Sequence, residues 1–208
     1  MKKYIIILLL CLLKSNVVSA NGFGFELTPI PASKFEYFLK LKKSYSQPLL
    51  NEIDDLNKVL ELNPERLALK GELLVINNET NEQLAQIDLM YNGFIAYYPD
   101  DRVLYFEGGH NSDVVISLDS GLELEEVPKN RIYSPNAGYR ISSYYNGQAP
   151  SSLIQKNTNG IWQSVSHLTE SKLPYSFFMI DRFNWISETE FIFVNFEGKF
   201  YLGEIIRK

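Results

Sequence analysis

Leu84-Ala85-Gln86-Ile87-Asp88-Leu89-Met90-Tyr91 and Phe94-Ile95-Ala96-Tyr97-Tyr98 stand on either side of Asn92-Gly93. The flanks carry the strand period of two, and Asn-Gly tolerates the positive φ that a two-residue hairpin turn requires at both central positions. The stretch predicts two antiparallel strands joined at residues 92–93. The same device recurs downstream. Ser120-Gly121 separates 114–118 from 122–127, and Asn146-Gly147 follows 139–145. Asn159-Gly160 precedes 161–165, and Glu197-Gly198 joins 191–196 to 199–206. Tight-turn signals at this density predict a meander of adjacent antiparallel strands.

Upstream of that meander the pattern is helical. Residues 21–32 hold Gly22, Gly24, Pro29 and Pro31 and read as an extended lead-in. Ser33-Lys34-Phe35-Glu36 then has the form of a capping box, followed by the apolar stripe Phe35, Phe38 and Leu39. A second helix is expected from about Pro48 to Leu62, with Leu49, Ile53, Leu56 and Leu60 on one face. Asn63-Pro64 stops it, and Gly71 reads as the end of a last helical turn. A short strand over 72–77 opens the meander. The expected fold is therefore mainly β with a short N-terminal helical segment. Its antiparallel meander forms blade-like or sandwich-packed sheets. Residues 21–208 read as one domain, 21–70 helical and 71–208 β.

The last hairpin sets the boundary of the core. Phe191 and Phe193 point one way, and Ile192, Val194 and Phe196 the other. A strand apolar on both faces is normally covered on both faces, so the C-terminus belongs to the core.

The first twenty residues predict a compartment. Lys2 and Lys3 precede the apolar run 4–13, and Lys14-Ser15-Asn16 ends that run. Val18-Ser19-Ala20 then supplies small residues for a signal peptidase, so 1–20 reads as a signal peptide cleaved after Ala20. The apolar run is about half the roughly 20 residues a membrane span needs. Cys11, the only cysteine, lies inside that leader, and Leu10 stands where lipid attachment needs a small residue. The mature chain would then hold no disulfide, no thiolate metal site and no cysteine nucleophile. A periplasmic or extracellular location is expected, with no membrane association after cleavage. The formal net charge is −5, and loss of Lys2, Lys3 and Lys14 with the leader takes it to −8. Such a surface repels nucleic acid and suits a basic protein partner.

Two short segments resemble each other. Tyr98-Pro99-Asp100-Asp101-Arg102-Val103 and Ser134-Pro135-Asn136-Ala137-Gly138-Tyr139-Arg140-Ile141 both place a Pro-Asp/Asn turn before a strand. The second of these and Trp185-Ile186-Ser187-Glu188-Thr189-Glu190-Phe191 resemble the blade repeats of TolB-like β-propellers. The resemblance covers about 25 residues and departs from the repeat at Asn136 and Ala137, where the family has Asp and Gly. It implies blade-like sheets, and at roughly 45 residues per blade the chain has room for three.

Motifs of catalysis are absent from the sequence: there is no His-Glu-x-x-His, no Gly-x-Ser-x-Gly, no phosphate loop and no EF-hand spacing. Gly22-Phe23-Gly24 begins a dinucleotide fingerprint, but Leu27 stands where its third glycine belongs. No cofactor or metal is expected. His110 lies in Glu107-Gly108-Gly109-His110-Asn111-Ser112-Asp113, a polar loop whose glycines let backbone approach a ligand. Ser112, His110 and Asp113 supply triad residue types, but neighbours in sequence seldom reach triad geometry. His167 reads as a strand-end residue. Glu123 and Glu125, alternating with leucine beside Asp119 and Glu126, read as the wet side of a half-buried strand. Asp54-Asp55 reads as a solvated helix face. Tyr144-Tyr145 beside Asn146-Gly147, with Trp162 across the following turn, could present an exposed aromatic patch. His110, Asn111, Asp113, Tyr144, Tyr145 and Trp162 are thus the candidate binding residues.

These features point to an exported, non-enzymatic binding or interaction protein with a protein partner. An immunity-type inhibitor of a toxin is one concrete form. The competing reading is a hydrolase acting on glycan or peptidoglycan through paired carboxylates, which needs two acids ~5–10 Å apart.

Overall fold

The computed structural model describes residues 22–41, 46–167, 177 and 179–207. The expected leader, 1–20, and its expected cleavage point lie outside the described residues. The chain is mainly β, with two helices and several small antiparallel sheets.

The lead-in is a strand, β1 (Phe23–Pro29). Helix α1 (Ala32–Leu41) follows, its first turn closed by Lys34 and Phe35 amides donating to the Pro31 carbonyl. Ser33 therefore lies inside the first turn and does not cap it. The second helix is much shorter than its apolar spacing predicts. It is α2 (Leu56–Leu62), and Asp55 caps it by accepting from the Asn57 and Lys58 amides. A carboxylate at that position satisfies free first-turn donors, so Asp54 and Asp55 are solvated as expected but precede the helix, which Asp55 starts. Residues 46–52 form an extended strap. The strap ends where Ile53 bridges to Tyr97 through two backbone hydrogen bonds.

Four sheets follow in chain order. Sheet I holds β2 (Leu67–Lys70), β3 (Leu73–Asn77) and β4 (Gln83–Asp88). Sheet II holds β5 (Gly93–Tyr98), β6 (Val103–Glu107) and β7 (Asp113–Ser117). Sheet III holds β8 (Ile132–Tyr133), β9 (Tyr139–Tyr145), β10 (Pro150–Thr158) and β11 (Ile161–Ser164). Beyond these lie β12 (Ser166–His167), β13 (Ile180–Trp185), β14 (Glu190–Asn195) and β15 (Phe200–Arg207). With β1 they make sheet IV, in the order β12-β1-β15-β14-β13. The first described strand thus pairs with the last, from Phe23 opposite Arg207 to Pro29 opposite Tyr201.

The sheets stack in sequence. Leu74, Ile76 and Ile87 of sheet I pack on Leu104, Phe106 and Ile116 of sheet II, with Val59 of α2 among them. Val103, Tyr105 and Val115 occupy the other face of sheet II and meet Tyr144 of sheet III. Tyr139, Ile141 and Ile154 of sheet III pack on Trp185, Phe191 and Phe193 of sheet IV. Ile192 and Val194, on the far face of β14, are covered by Phe35 of α1. The final hairpin is therefore buried on both faces, as its sequence predicts. Phe196 is the exception: it sits in the turn and is exposed.

Several expectations need correction. Asn92-Gly93 is not a hairpin turn. Neither residue has positive φ, and β4 and β5 belong to different sheets. The Asn92 amide and side-chain Nδ2 both donate to the Asp88 carbonyl, forming a compact turn that carries the chain to the next sheet. A hairpin here would merge two faces that instead bury each other. Gly71, with φ 61°, turns β2 into β3 and ends no helix. The lead-in 21–70 is therefore part strand. Residues 122–127 form no strand, only a bridge from Glu123 to Ile116. Among the described residues the sheets number four, one more than repeat length predicts, and two of them have only three strands.

Other turns stand. Asn159 and Gly160 have φ 54° and 86°, and Thr158 faces Ile161, which is a two-residue hairpin. All three segments carrying the propeller-like resemblance are hairpin turns: β5 to β6, β8 to β9 and β13 to β14.

Candidate functional site

The Gly-Gly loop is a compact turn. The Gly108 amide donates to the Ser112 carbonyl, and His110 and Asn111 both sit at φ 58°. Both are exposed, and the loop rests against the Asn146-Gly147 turn: a Cβ on Gly147 would lie 3.2 Å from Ser112 Cβ. Asp113 is buried. Its Oδ1 accepts from the Tyr105 hydroxyl at 2.8 Å and its Oδ2 from the Tyr145 amide at 2.7 Å. This carboxylate is a tie between sheets II and III, and both its oxygens are occupied by groups other than His110. No triad is assembled.

The aromatic residues separate. Tyr144 is buried in the seam between sheets II and III, and its hydroxyl donates to Glu123 at 2.8 Å. Tyr145 is opposite Pro150, whereas Trp162 is opposite Asn157, next to the Lys156–Tyr139 pair. Six positions of β9 lie between those levels, about 20 Å at ~3.3 Å per residue. Trp162 is therefore at the other end of sheet III. His110, Asn111, Asp113 and Tyr145 come together, and Trp162 belongs to a different place.

That place is a cleft of ≈ 410 Å³ at the open end of the seam between sheets II and III. The alternation of β9 builds it. Tyr139 and Ile141 face sheet IV, so Arg140 faces sheet II together with Tyr144. Arg140 is 5 % exposed, and its guanidinium carbon stands 4.2 Å above the Trp162 ring. Its Nε donates to Gln155 at 2.7 Å, its Nη2 to Glu126 at 2.6 Å, and its Nη1 to the Tyr133 hydroxyl at 3.4 Å. Arg131, 7 % exposed, shares the same carboxylate. Its Nε donates to Glu126 at 2.7 Å, its Nη2 pairs with that acid, and its Nη1 reaches Asp101 at 2.6 Å. Asp101 comes from the Pro-Asp turn between β5 and β6. A chain of charge therefore runs Asp101, Arg131, Glu126, Arg140 and stitches sheet II to sheet III.

Burial opposes the charge of both arginines, with different outcomes. For Arg131 the two carboxylates outweigh burial and raise its pKa. For Arg140 burial and the neighbouring Arg131 charge outweigh Glu126 and lower its pKa. Sharing one carboxylate between two cations produces that asymmetry.

The strap forms the other wall. Gln47 clips it to β8 by two bonds: its Nε2 donates to the Tyr133 carbonyl at 3.2 Å, and its Oε1 accepts the Tyr133 amide at 2.7 Å. The side-chain amide thus occupies an edge that another strand could have paired. Pro48, Leu49 and Leu50 follow, with Leu49 99 % exposed. Tyr133 and Trp162 meet edge to face at 5.6 Å and 70°.

The acids of the 119–126 cluster have separate duties. Asp119 pairs with Arg102 at 2.7 Å, Glu123 takes Tyr144, and Glu126 takes the two arginines. Glu123 and Glu125 are exposed as expected, but the segment that carries them is no half-buried strand, since Leu122 is exposed too. Sequence reasoning missed Arg131, Arg140 and Gln47. One signal was available: Arg140 is the one charged residue of a strand that is otherwise apolar, aromatic or serine, where a lone cation needs a buried partner. Among the described residues no group of three or more His, Cys, Asp or Glu is placed to hold a metal ion.

No protein-family model, curated protein or solved structure matches this chain.

Proposed function

We propose that this chain is an exported, non-enzymatic binding protein of the periplasm or cell surface. The observation that carries the reading is the pairing of Asp101 and Glu126 with the two arginines of the cleft. Glu126 and Asp101 are both committed to guanidinium groups. Carboxylate oxygens that already accept from guanidinium N–H groups are not free to reach a substrate atom, as general acid–base chemistry requires. The cleft is thus suited to holding a ligand in place. Its wall of aromatic and arginine side chains matches the residue types enriched at binding surfaces. The acidic net charge supports a basic protein as the macromolecular partner, and inhibition of a toxin by an immunity-type mechanism is one form that partnership takes.

Three experiments test this. N-terminal sequencing of protein from its native host should return Asn21, and a sequence starting at Met1 would overturn export. Purified protein should show no turnover on a panel of peptidoglycan and glycan substrates. Turnover that vanishes in Glu126→Gln would replace this reading with the hydrolase. Affinity capture from the source cells and their competitors should then return a stoichiometric partner.

A further inference from the structure

We infer that the cleft between sheets II and III is a saccharide site, taking a short, uncharged glycan segment. The inference rests on the non-catalytic reading of that cleft. Its volume of ≈ 410 Å³ is within the range of roughly 300–1,000 Å³ that small-ligand sites occupy.

Charge narrows the ligand first. Lys129, Arg131 and Arg140 line the cleft, against Asp100 and Asp101, with Glu126 bonded to both guanidiniums. Three cations and three carboxylates leave no net charge, so anions and cations each meet repulsion as well as attraction.

Hydrogen bonding narrows it further. A guanidinium has five N–H donors. Arg131 spends three on Glu126 and Asp101, and Arg140 spends three on Gln155, Glu126 and Tyr133. Two donors remain on each, on groups whose charge is already neutralised. Such donors suit neutral oxygen acceptors, the hydroxyl and N-acetyl oxygens of sugars.

The aromatic wall supplies the third element. Trp162 is fixed by Arg140 on one face and by the Tyr133 ring at its side. A pre-set platform loses little freedom on binding, and the C–H face of a sugar ring stacks on an indole. An extended peptide fits less well. Peptides commonly add to a sheet edge, and at β8 the Tyr133 amide and carbonyl are both taken by Gln47.

The test uses intrinsic fluorescence and NMR on the full mature chain, titrated with triacetylchitotriose, cellotriose and maltotriose. Trp185 is fully buried, so Trp162 is the reporting tryptophan. At least one sugar, at on the order of millimolar concentration, should give a saturable emission shift. The same sugar should move the Trp162 indole N–H resonance and leave that of Trp185 in place. Trp162→Ala should weaken binding at least about tenfold. The NMR result on the wild type stands even if that variant fails to fold. No shift with any of the three sugars would overturn the site, as would binding unchanged in a folded Trp162→Ala protein. A response to trialanine with the sugars silent would overturn it in favour of a peptide. Sugar bound and then cleaved would keep the site and overturn the non-enzymatic reading. Silence toward sugars with a captured protein partner would do the reverse.

Discussion

Phe191 of β14 stands opposite Gly203 of β15, and its ring covers the bare Cα of that glycine. A Cβ at residue 203 would fall inside contact distance of three ring carbons. The ring cannot retreat, because it stacks on Phe183 at 5.1 Å and meets Trp185 at 5.4 Å on edge. Gly203→Ala should therefore cost about 1–3 kcal/mol through overpacking. Urea denaturation checks it, and an unchanged midpoint would show that the core yields here.

The two Asn-Gly sequences at 92–93 and 159–160 should respond differently to one substitution. Gly160 has φ 86° with open space around it, so Gly160→Val should cost about 1–3 kcal/mol from backbone strain alone. Gly93 begins β5 outside the positive-φ region, and Gly93→Val should shift stability by less than about 0.5 kcal/mol. Thermal melts of the two variants side by side decide it.

His110 and Asp113 are three residues apart and should differ as sharply. His110 is exposed, and His110→Ala should change stability by under about 0.5 kcal/mol. Asp113→Ala strands the buried Tyr105 hydroxyl and the Tyr145 amide, at about 1–3 kcal/mol. Equal effects in chemical denaturation would contradict the tie between sheets.

Glu126 neutralises two buried arginines, so Glu126→Ala leaves Arg140 with no carboxylate. The expected loss is about 3 kcal/mol, the lower end for breaking a buried ion pair. Glu126→Gln keeps an acceptor and should lose less. Denaturation midpoints of both variants provide the comparison.

Stability should fall in alkali. Burial, and then hydrogen bonds to Asp113 and Glu123 respectively, raise the pKa of Tyr105 and Tyr144. Above about pH 10 the unfolded chain releases phenolic protons that the folded chain retains. The contribution of these hydroxyls is whole below that pH and declines as pH rises beyond it. Tyr105→Phe and Tyr144→Phe should flatten the slope of melting temperature between about pH 9 and 11.

By itself the sequence determined several of the strands in which apolar residues recur and a turn follows, though not at 122–127. Residues 139–145 are the full length of β9, and 191–194 are buried on both faces as their double-sided apolar pattern demands. Asn159-Gly160 could be read because positive φ at two successive positions is a local property of those residues. The nine-residue β10 escaped notice because Ser151, Ser152, Gln155, Lys156 and Asn157 give it no apolar period; its neighbours β9 and β11 hold it in place. Tertiary structure also decided that Asn92-Gly93 links two sheets, since the choice depends on which faces are left to be buried. It decided the cleft as well. Trp162 could be named from its type, but Asp101, Glu126, Arg131 and Arg140 span forty residues of chain and meet only when sheet II packs on sheet III. Charge pairing depends on distance in space, and a single sequence carries only distance along the chain.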